Sequence, residues 1–414
     1  MKILLLNQYA ENKGDRAVLF ALCMLIRQNE PDAEIVVSTS APEQWADSKF
    51  LNQNKVTLVP WAWDYQRTGN GKRIYWSLLT CFQRYTFTMF REALLFGIHG
   101  LGRWFTNPLF HKELMASDLV ISVGGHHYTT LLSRDLVSSI NFDAMSVVDA
   151  RKKLVLFSQS FGPFEFHNHR NEKLTRHVLE YSQGLYARES SSCKTLGHWG
   201  ITISKIHNCK ETVFALNRLF PHRLPIVQRP KRVGIAIYCA QRRSPEAELL
   251  YCKNIVGFID SIGKQGFSVC FFPMELKGSL PDDRPMIKKI IGLVKFPGCC
   301  SYIDEDLPTP QHLNEVAKCQ LFVGHKTHST IFSLLTGTPL IGICYHPKTR
   351  EFMKQFGMES YAIDDAQLTT EILLQKFNEL YRRAEEVSAS IFQQSQLFSA
   401  ELDRDIAQAI HTAK

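Results

Sequence analysis

The sequence has no uncharged apolar run of about eighteen residues, the length that a membrane-spanning helix requires. After Lys2 only four apolar residues precede Asn7, too few for the hydrophobic region of a secretory signal. Internal repeats and low-complexity tracts are also missing. These absences argue against an integral membrane protein, a secreted protein and a repeat protein. We therefore expect a globular cytoplasmic protein.

Cysteines in metal-binding or redox spacing are missing as well. The eleven cysteines are scattered, and no two of them form a C-x-x-C motif. Several fall inside predicted strands or helices, as small buried hydrophobic residues do. We therefore expect reduced thiols, no disulfide framework, no zinc site and no cofactor.

What the chain does have is enough length for two domains. Its 414 residues are too many for one ordinary core and fit two α/β domains. An apolar fraction of 45% with 21% charged residues is typical of a globular protein. The formal net charge of +8 permits an anionic partner, such as a phosphorylated substrate, a membrane surface or nucleic acid.

Two series of buried strands alternate with helical segments, a pattern typical of parallel α/β sheets. The first series falls within residues 1–222 and the second within 230–414, separated by a poorly patterned, proline-containing stretch. The predicted strands are Ile3–Leu6, Glu34–Ser38, Val56–Val59, Leu119–Val123, Leu154–Ser158 and Leu185–Ala187, then Arg232–Tyr238, Ser268–Phe272, Leu321–Val323 and Leu340–Cys344. Helices over 369–388 and 391–412 close the chain. This arrangement predicts two domains that face a central cleft.

One insertion, at about 61–115, interrupts the first series with a helical segment rich in aromatic and basic residues. Such a composition suits the surface of an anionic membrane. The alternative is that the aromatic side chains pack on the first domain or on a partner subunit. Stacking on single-stranded nucleic acid uses the same residue types, but no nucleic-acid motif accompanies them here, so we expect no nucleic acid partner.

The stretch Val323–Lys348 gathers cations and imidazoles at the ends of two successive strands. Lys326 and His328 follow the first strand and open a helix, and Lys348 follows the second. The carboxyl edge of a parallel sheet is where ligands bind, and a helix N-terminus favours an anion. This grouping predicts a site for a small, multiply charged anion, with His328 able to transfer a proton near neutral pH. The alternative is that His325 and His328 are packing histidines and the lysines are solvated.

Three further groups end predicted strands at the same kind of edge. Asn12, Gly14 and Asp15 lie between the first strand and first helix, where Asp15 is either a helix-capping residue or a base. Gly124 and Gly125 allow close approach of a ligand to the backbone, and His126 and His127 follow them. Arg188 ends another strand, where it either clamps a carboxylate or phosphate or pairs with Glu189.

Taken in order, these elements resemble those of the polysaccharide pyruvyl transferase family. The matching motifs are the N-x-G-D opening at Asn12–Asp15, the glycine pair Gly124 and Gly125, QSFGPF at Gln159–Phe164, RES at Arg188–Ser190, Asp282 and Asp283, the x-x-H-S helix start at Lys326–Ser329 and Y-x-x-K at Tyr345–Lys348. They span most of the chain.

The resemblance implies a GT-B-like pair of Rossmann-like domains and transfer of pyruvyl from phosphoenolpyruvate to a sugar of a polysaccharide or lipid-linked glycan, with a pyruvate ketal as product. It implies that His328 is the acid, with Asp15 as a further catalytic residue. The implied phosphoenolpyruvate contacts are Arg188, Lys326, Thr327, Ser329 and Lys348, and the implied acceptor contacts are Asn12, Gly14, Gly125, His126 and His127. The enzyme is then expected in the cytoplasm, with peripheral association at the inner face of the membrane.

The chain departs from the family pattern in three places. Lys326 stands where the family commonly has arginine, and His126 stands where it has a third glycine. Asn208–Glu211 replaces a Gly-Asp-Pro-like turn. Two other functions fit the same pattern: a GT-B glycosyltransferase that uses a nucleotide sugar, and an inactive binding relative.

Overall fold

The computed structural model describes residues 1–9, 12–45, 48–65, 78–79, 81–131, 133–239, 244–276, 282–345 and 347–413. The chain divides into two compact units. The first comprises Met1–Ala10, Val18–Thr212 and Ala400–Lys414, and the second comprises Glu11–Ala17 and Val213–Ser399.

The first unit is built on an eight-stranded parallel sheet. Its strands are β1 (Lys2–Gln8), β2 (Glu34–Thr39), β3 (Val56–Pro60), β4 (Leu119–Ser122), β5 (Gly125–Tyr128), β6 (Leu154–Phe161), β7 (Gly184–Ala187) and β8 (Ile206–Asn208). They are ordered β3-β2-β1-β4-β6-β7-β8, and β5 pairs with β6 beyond the end of β4. The central strands are continuous apolar runs because helices cover both faces of a parallel sheet.

The helices of this part of the chain are α1 (Lys13–Asn29), α2 (Ser48–Gln53), α3 (Gln83–Leu95), α4 (Gly102–Phe105), α5 (Pro108–Ala116), α6 (Ser139–Asp149), α7 (His169–Tyr181) and α8 (Ser190–His198). One hydrophobic core joins Phe87 and Phe90 of α3 to Phe142 of α6 and to the strand residues Leu4 and Leu156. Helices whose apolar stripe meets the sheet in this way are stabilised mainly by that burial.

The second unit has a six-stranded parallel sheet of the same kind. Its strands are β9 (Arg232–Ala236), β10 (Ser268–Phe271), β11 (Cys300–Tyr302), β12 (Leu321–Gly324), β13 (Leu340–Cys344) and β14 (Ala362–Asp364), ordered β11-β10-β9-β12-β13-β14. The helices that follow are α9 (Pro245–Gly263), α10 (Arg284–Leu293), α11 (Thr309–Ala317), α12 (Thr327–Leu335), α13 (Pro347–Gln355), α14 (Thr370–Arg382) and α15 (Ala384–Ala413).

The predicted fold class, two parallel α/β sheets of the GT-B-like kind with C-terminal helices, is confirmed. Four short strands, β5, β8, β11 and β14, were not predicted, since three or four residues are too few to show a period. The terminal helices meet at Arg383, not near residue 390 as predicted. The units also differ from the predicted ranges 1–222 and 230–414, because Glu11–Ala17 groups with the second unit and Ala400–Lys414 with the first.

Candidate functional site

The helix α12 begins directly after the central strand β12 of the second unit. Lys326 is its N-cap residue and has an extended backbone conformation. The side chain of Lys326 accepts no hydrogen bond from the amides of the first turn. The buried hydroxyl of Ser329 donates to the backbone carbonyl of Lys326, at 2.6 Å. The amide groups of the first turn therefore form a positive end of the helix dipole at the carboxyl edge of the sheet.

A second helix N-terminus lies beside the first. The hydroxyls of Thr327 in α12 and Thr349 in α13 are 2.9 Å apart, and Thr349 is fully buried. Lys348, half-buried, is in the first turn of α13 next to Thr349. Two helix N-termini and a lysine thus meet where β12 and β13 end, an arrangement suited to a phosphate or carboxylate. His346, the second residue after β13, lies outside the described residues.

His328 lies against the first turn of α1, at Gly14. A Cβ atom built on Gly14 would lie 2.0 Å from Nδ1 of His328, so only glycine leaves room for the imidazole at this point. The structure therefore brings two predicted site residues, distant in sequence, into direct contact within the second unit.

The first turn of α1, which carries Gly14, is held at several points. The side-chain oxygen of Asn12 accepts hydrogen bonds from the amides of Gly14 and Asp15, at 2.6 and 3.2 Å, which makes Asn12 a helix cap. Asp306 accepts from Nζ of Lys13 and from Nη1 of Arg16, each at 2.8 Å. Burial raises the pKa of Asp306, but the two cations outweigh it and lower the pKa. Asp15 is half-buried in the first turn of α1.

Lys326 faces a carboxylate of its own unit. Its Nζ lies 3.0 Å from both oxygens of Asp283, which is fully buried and also accepts hydrogen bonds from the amides of Met274 and Glu275. Glu275 is 3.8 Å from the same ammonium and also accepts from the side chain of Asn12. The Lys326 charge is therefore largely neutralised, and its clear contribution is to fix the start of α12.

The Asp283→Asn variant is expected to lose about 3 kcal/mol of stability, because it removes the nearer of the two buried carboxylates that face the ammonium of Lys326. The loss is measured as a lower urea midpoint of unfolding for the purified protein. Asp304→Asn is the matched control, since its pair with Arg284 is largely exposed and worth less than about 1 kcal/mol. Equal midpoints for the two variants would show that the Lys326–Asp283 pair contributes nothing to stability.

His325 is a fully buried histidine behind this edge. Its Nδ1 lies 3.1 Å from the hydroxyl of Tyr251, and its Nε2 lies 3.2 Å from Asp365. The rings of Tyr238 and Tyr345 stack on each other at 4.3 Å and meet His325 edge-on. These contacts fit the packing alternative for His325.

Arg188 lies in the first unit, at the carboxyl end of β7. Its Nε donates to the hydroxyl of Ser160 at 2.8 Å and lies 3.2 Å from Glu189, while Nη1 contacts Glu211. Burial lowers the pKa of Arg188, but the Glu211 and Glu189 carboxylates outweigh it and raise the pKa. The pairing with Glu189 was anticipated as an alternative to a ligand clamp. Glu211 was not anticipated, since no spacing rule joins residues so far apart in sequence.

The histidine pair of the first unit lies on β5. His126 places Nε2 2.9 Å from the carbonyl oxygen of Gly162, and a Cβ on Gly125 would lie 2.3 Å from Nε2 of His127. The ring of Tyr9 is 6.2 Å from that of His127 and meets Trp61 edge-on at 5.0 Å. His126 is thus held by backbone, while His127 belongs to an aromatic group that the sequence did not reveal.

A buried polar network connects strand ends of the first unit and was also missed as a site feature. Asn7 donates to the hydroxyl of Ser122 at 2.7 Å, and Gln159 donates to the same hydroxyl at 3.0 Å. Asn7 has a φ of 66°, in the left-handed region that asparagine adopts more readily than most residues with a side chain.

In the part of the chain that the structure describes, no group of three or more histidine, cysteine, aspartate or glutamate residues is placed to hold a metal ion. Within the same part, no helix is both long and apolar enough to cross a membrane. None of the eleven cysteines forms a disulfide, and all of them lie in the part of the chain that the structure describes.

Comparison with known proteins gives a family-level match. The sequence profile of the family described as polysaccharide pyruvyl transferase matches residues 12–347. A relative from Erwinia amylovora, the amylovoran biosynthesis protein AmsJ, is 23% identical over 442 aligned residues, which cover 99% of this chain and 100% of AmsJ.

Solved structures share the fold at low sequence identity. The UDP-GlcNAc 2-epimerase of Neisseria meningitidis has a TM-score of 0.59 and 12% identity, over 99% of this chain and 100% of that one. The Anabaena HepE protein, in complex with UDP and glucose, has a TM-score of 0.57 and 14% identity over 100% of both chains. At such identities these likenesses establish the fold alone.

Proposed function

Because the chain belongs to the polysaccharide pyruvyl transferase family, we propose that it transfers the pyruvyl group of phosphoenolpyruvate to a sugar of a polysaccharide or of a lipid-linked glycan intermediate. One observation carries this proposal above the others: two helix N-termini meet beside Lys348 and His328 at one sheet edge of the second unit. A phosphorylated carboxylic acid with a double bond to protonate needs both kinds of group, cationic and acidic.

The anion of the donor binds at the paired helix N-termini. The amides of Thr327 and Ser329 and the ammonium of Lys348 supply positive charge to the phosphate or carboxylate, and stabilise the phosphate as it leaves. Lys326 holds the start of α12 in place and does not bind the anion, since Asp283 already neutralises its charge. That Arg188 binds phosphoenolpyruvate remains a prediction from the sequence. In the structure its guanidinium group contacts the carboxylates of Glu189 and Glu211.

The proposed reaction begins with proton transfer from His328 to the methylene carbon of the donor. The adjacent carbon becomes electrophilic, and an acceptor hydroxyl adds to it while giving up its proton to a base, proposed to be Asp15 or the neutral His328. A second hydroxyl of the same sugar then displaces phosphate and closes a cyclic ketal. Diol and phosphoenolpyruvate are thereby converted to pyruvate ketal and inorganic phosphate, with no redox change.

The acceptor is proposed to be a glycan that enters polysaccharide synthesis, as the name of the relative AmsJ indicates for that protein. In the first unit, Gly125 lies against His127, whose ring is near that of Tyr9, and Tyr9 in turn meets Trp61. Aromatic rings next to hydrogen-bonding side chains suit a sugar, which has apolar faces and hydroxyl edges. His126 would support this region of the first unit. Asn12 would support the first turn of α1, which carries Gly14.

The test is phosphate release from phosphoenolpyruvate by the purified full-length protein, with and without a panel of glycan acceptors that includes lipid-linked ones. We expect release that depends on an acceptor, a product heavier by one pyruvate ketal, and a raised Tm with phosphoenolpyruvate alone. Absence of both release and stabilisation by phosphoenolpyruvate would contradict the proposal. If UDP-sugars stabilised the protein instead, the glycosyltransferase alternative would replace it.

A further inference from the structure

The segment between Leu78 and Met115 exposes an unusual share of large apolar side chains. Nine of the twenty-one exposed large hydrophobic residues in the described part of the chain fall within it. They are Leu78, Phe82, Tyr85, Met89, Phe96, Ile98, Trp104, Leu109 and Met115. Single exposed apolar residues are ordinary, but a concentration of this kind marks an interaction surface.

Four of these side chains form a stripe along α3. Phe82, Tyr85, Met89 and Phe96 follow one another at intervals of three, four and seven residues, which places them on one face of a helix. Their exposed fractions are 58%, 66%, 47% and 74%. We call these four residues the α3 stripe.

The stripe is additional to the face by which α3 packs on its own unit. Phe87, Phe90 and Leu94 are buried on that other face. The rings of Phe87 and Phe90 lie 6.5 and 5.4 Å from Phe142, which stacks on Trp63 at 5.1 Å. Packing on the first domain therefore accounts for one set of aromatic residues of the insertion, but it does not account for the α3 stripe.

The exposed charges of the segment that carries the stripe are of one sign. Among the described residues between 78 and 115, the exposed charged side chains are all basic, namely Arg84, Arg103 and Lys112. The two acidic side chains of this segment are engaged, Glu92 with Arg91 and Arg170, and Glu113 with Lys2. Arg103 also lies 5.2 Å from the ring of its exposed neighbour Trp104.

We propose that the α3 stripe is a membrane-docking surface that takes an anionic lipid bilayer. A helix lying in the interface buries its apolar side by about 5–10 Å, while arginine and lysine at its edges pair with lipid phosphates. A tryptophan next to an arginine is typical of the same boundary. The exposed charges of this segment, all basic, favour a lipid surface over a second copy of the chain, whose like charges would repel it.

The test is sedimentation of the full-length protein with vesicles at low salt. We expect it to sediment with vesicles of equal parts phosphatidylcholine and phosphatidylglycerol, and much less with phosphatidylcholine alone. Combined replacement of Phe82, Tyr85 and Met89 by serine is expected to weaken vesicle binding at least about tenfold, since it removes most of the inserted apolar area. Arg84→Glu with Arg103→Glu is expected to abolish the preference for anionic lipid.

The control replaces two apolar residues elsewhere that are more exposed than those of the stripe, Ile203 and Val227, at 82% and 85%. Serine at these positions is expected to leave vesicle binding unchanged. The proposal is overturned if the protein does not sediment with anionic vesicles, or if the triple serine variant binds them as well as the original. It is also overturned if that variant changes only the oligomeric state, which would identify the stripe as a protein interface.

Discussion

The His328→Gln variant is expected to lose acceptor-dependent phosphate release while it keeps its fold and its binding of phosphoenolpyruvate. Glutamine keeps a hydrogen-bonding side chain of similar reach, but it cannot transfer a proton near neutral pH. If His328 is the acid that protonates the donor, kcat is expected to fall by a factor of about 10² to 10⁴. The measurement is the rate of phosphate release at saturating phosphoenolpyruvate, with Tm recorded for each variant.

Two further variants make this result specific. His222→Gln changes an exposed histidine of the same unit and is expected to keep the original rate. Lys348→Gln is expected to act differently from His328→Gln, mainly by raising KM, since an ammonium at the paired helix N-termini contributes to binding of the anion. A rate for His328→Gln within twofold of the original would remove His328 from the chemical step.

The Gly14→Ala variant is expected to lower kcat by a factor of about 10 to 100 without unfolding the protein, because misplacing a catalytic group by about 1 Å has an effect of this size. The added methyl group would lie 2.0 Å from Nδ1 of His328, so one of the two must move. The first turn of α1 has little freedom to move, since Asn12 caps it and Asp306 binds both Lys13 and Arg16. The imidazole is therefore the group that shifts. The same phosphate-release assay measures the effect.

The control for this variant is Gly292→Ala. Gly292 lies in α10 of the same unit, and a Cβ atom there would have nothing within 4 Å. Its replacement is expected to leave activity unchanged and to raise stability slightly, as alanine is the better helix former. If Gly14→Ala retained full activity, His328 would have to function from another position than the one seen here.

The fold was accessible from the sequence because its main strands are unbroken apolar runs. Val36 and Leu156 are examples, since each lies in a run too apolar to be a surface strand and too short for a buried helix. The short edge strands were missed for the opposite reason. The strand Ile206–Asn208 has three residues, of which none is fully buried, so no pattern distinguishes it from a loop.

The candidate site was accessible only in part. Parallel strands end at one edge, so the neighbourhood of His328 and Lys348 followed from their positions after β12 and β13. The contact between Gly14 and His328 could not be predicted, because it joins the first turn of α1, near the start of the chain, to the helix that follows β12. The ion pairs of Arg188 with Glu211 and of Lys326 with Asp283 were equally invisible, since pairing across the fold leaves no periodic trace in the sequence.

Glu11–Ala17 belongs to the second unit although it lies near the start of the chain. A gene cut near residue 213 yields two fragments, and the later fragment carries His328 but not the glycine against which it rests. On the ribosome the order is the same, as Gly14 emerges about three hundred residues before its partner. The imidazole of His328 can meet Gly14 only after the second sheet has formed. We therefore expect this contact to form late in the folding of each newly made chain.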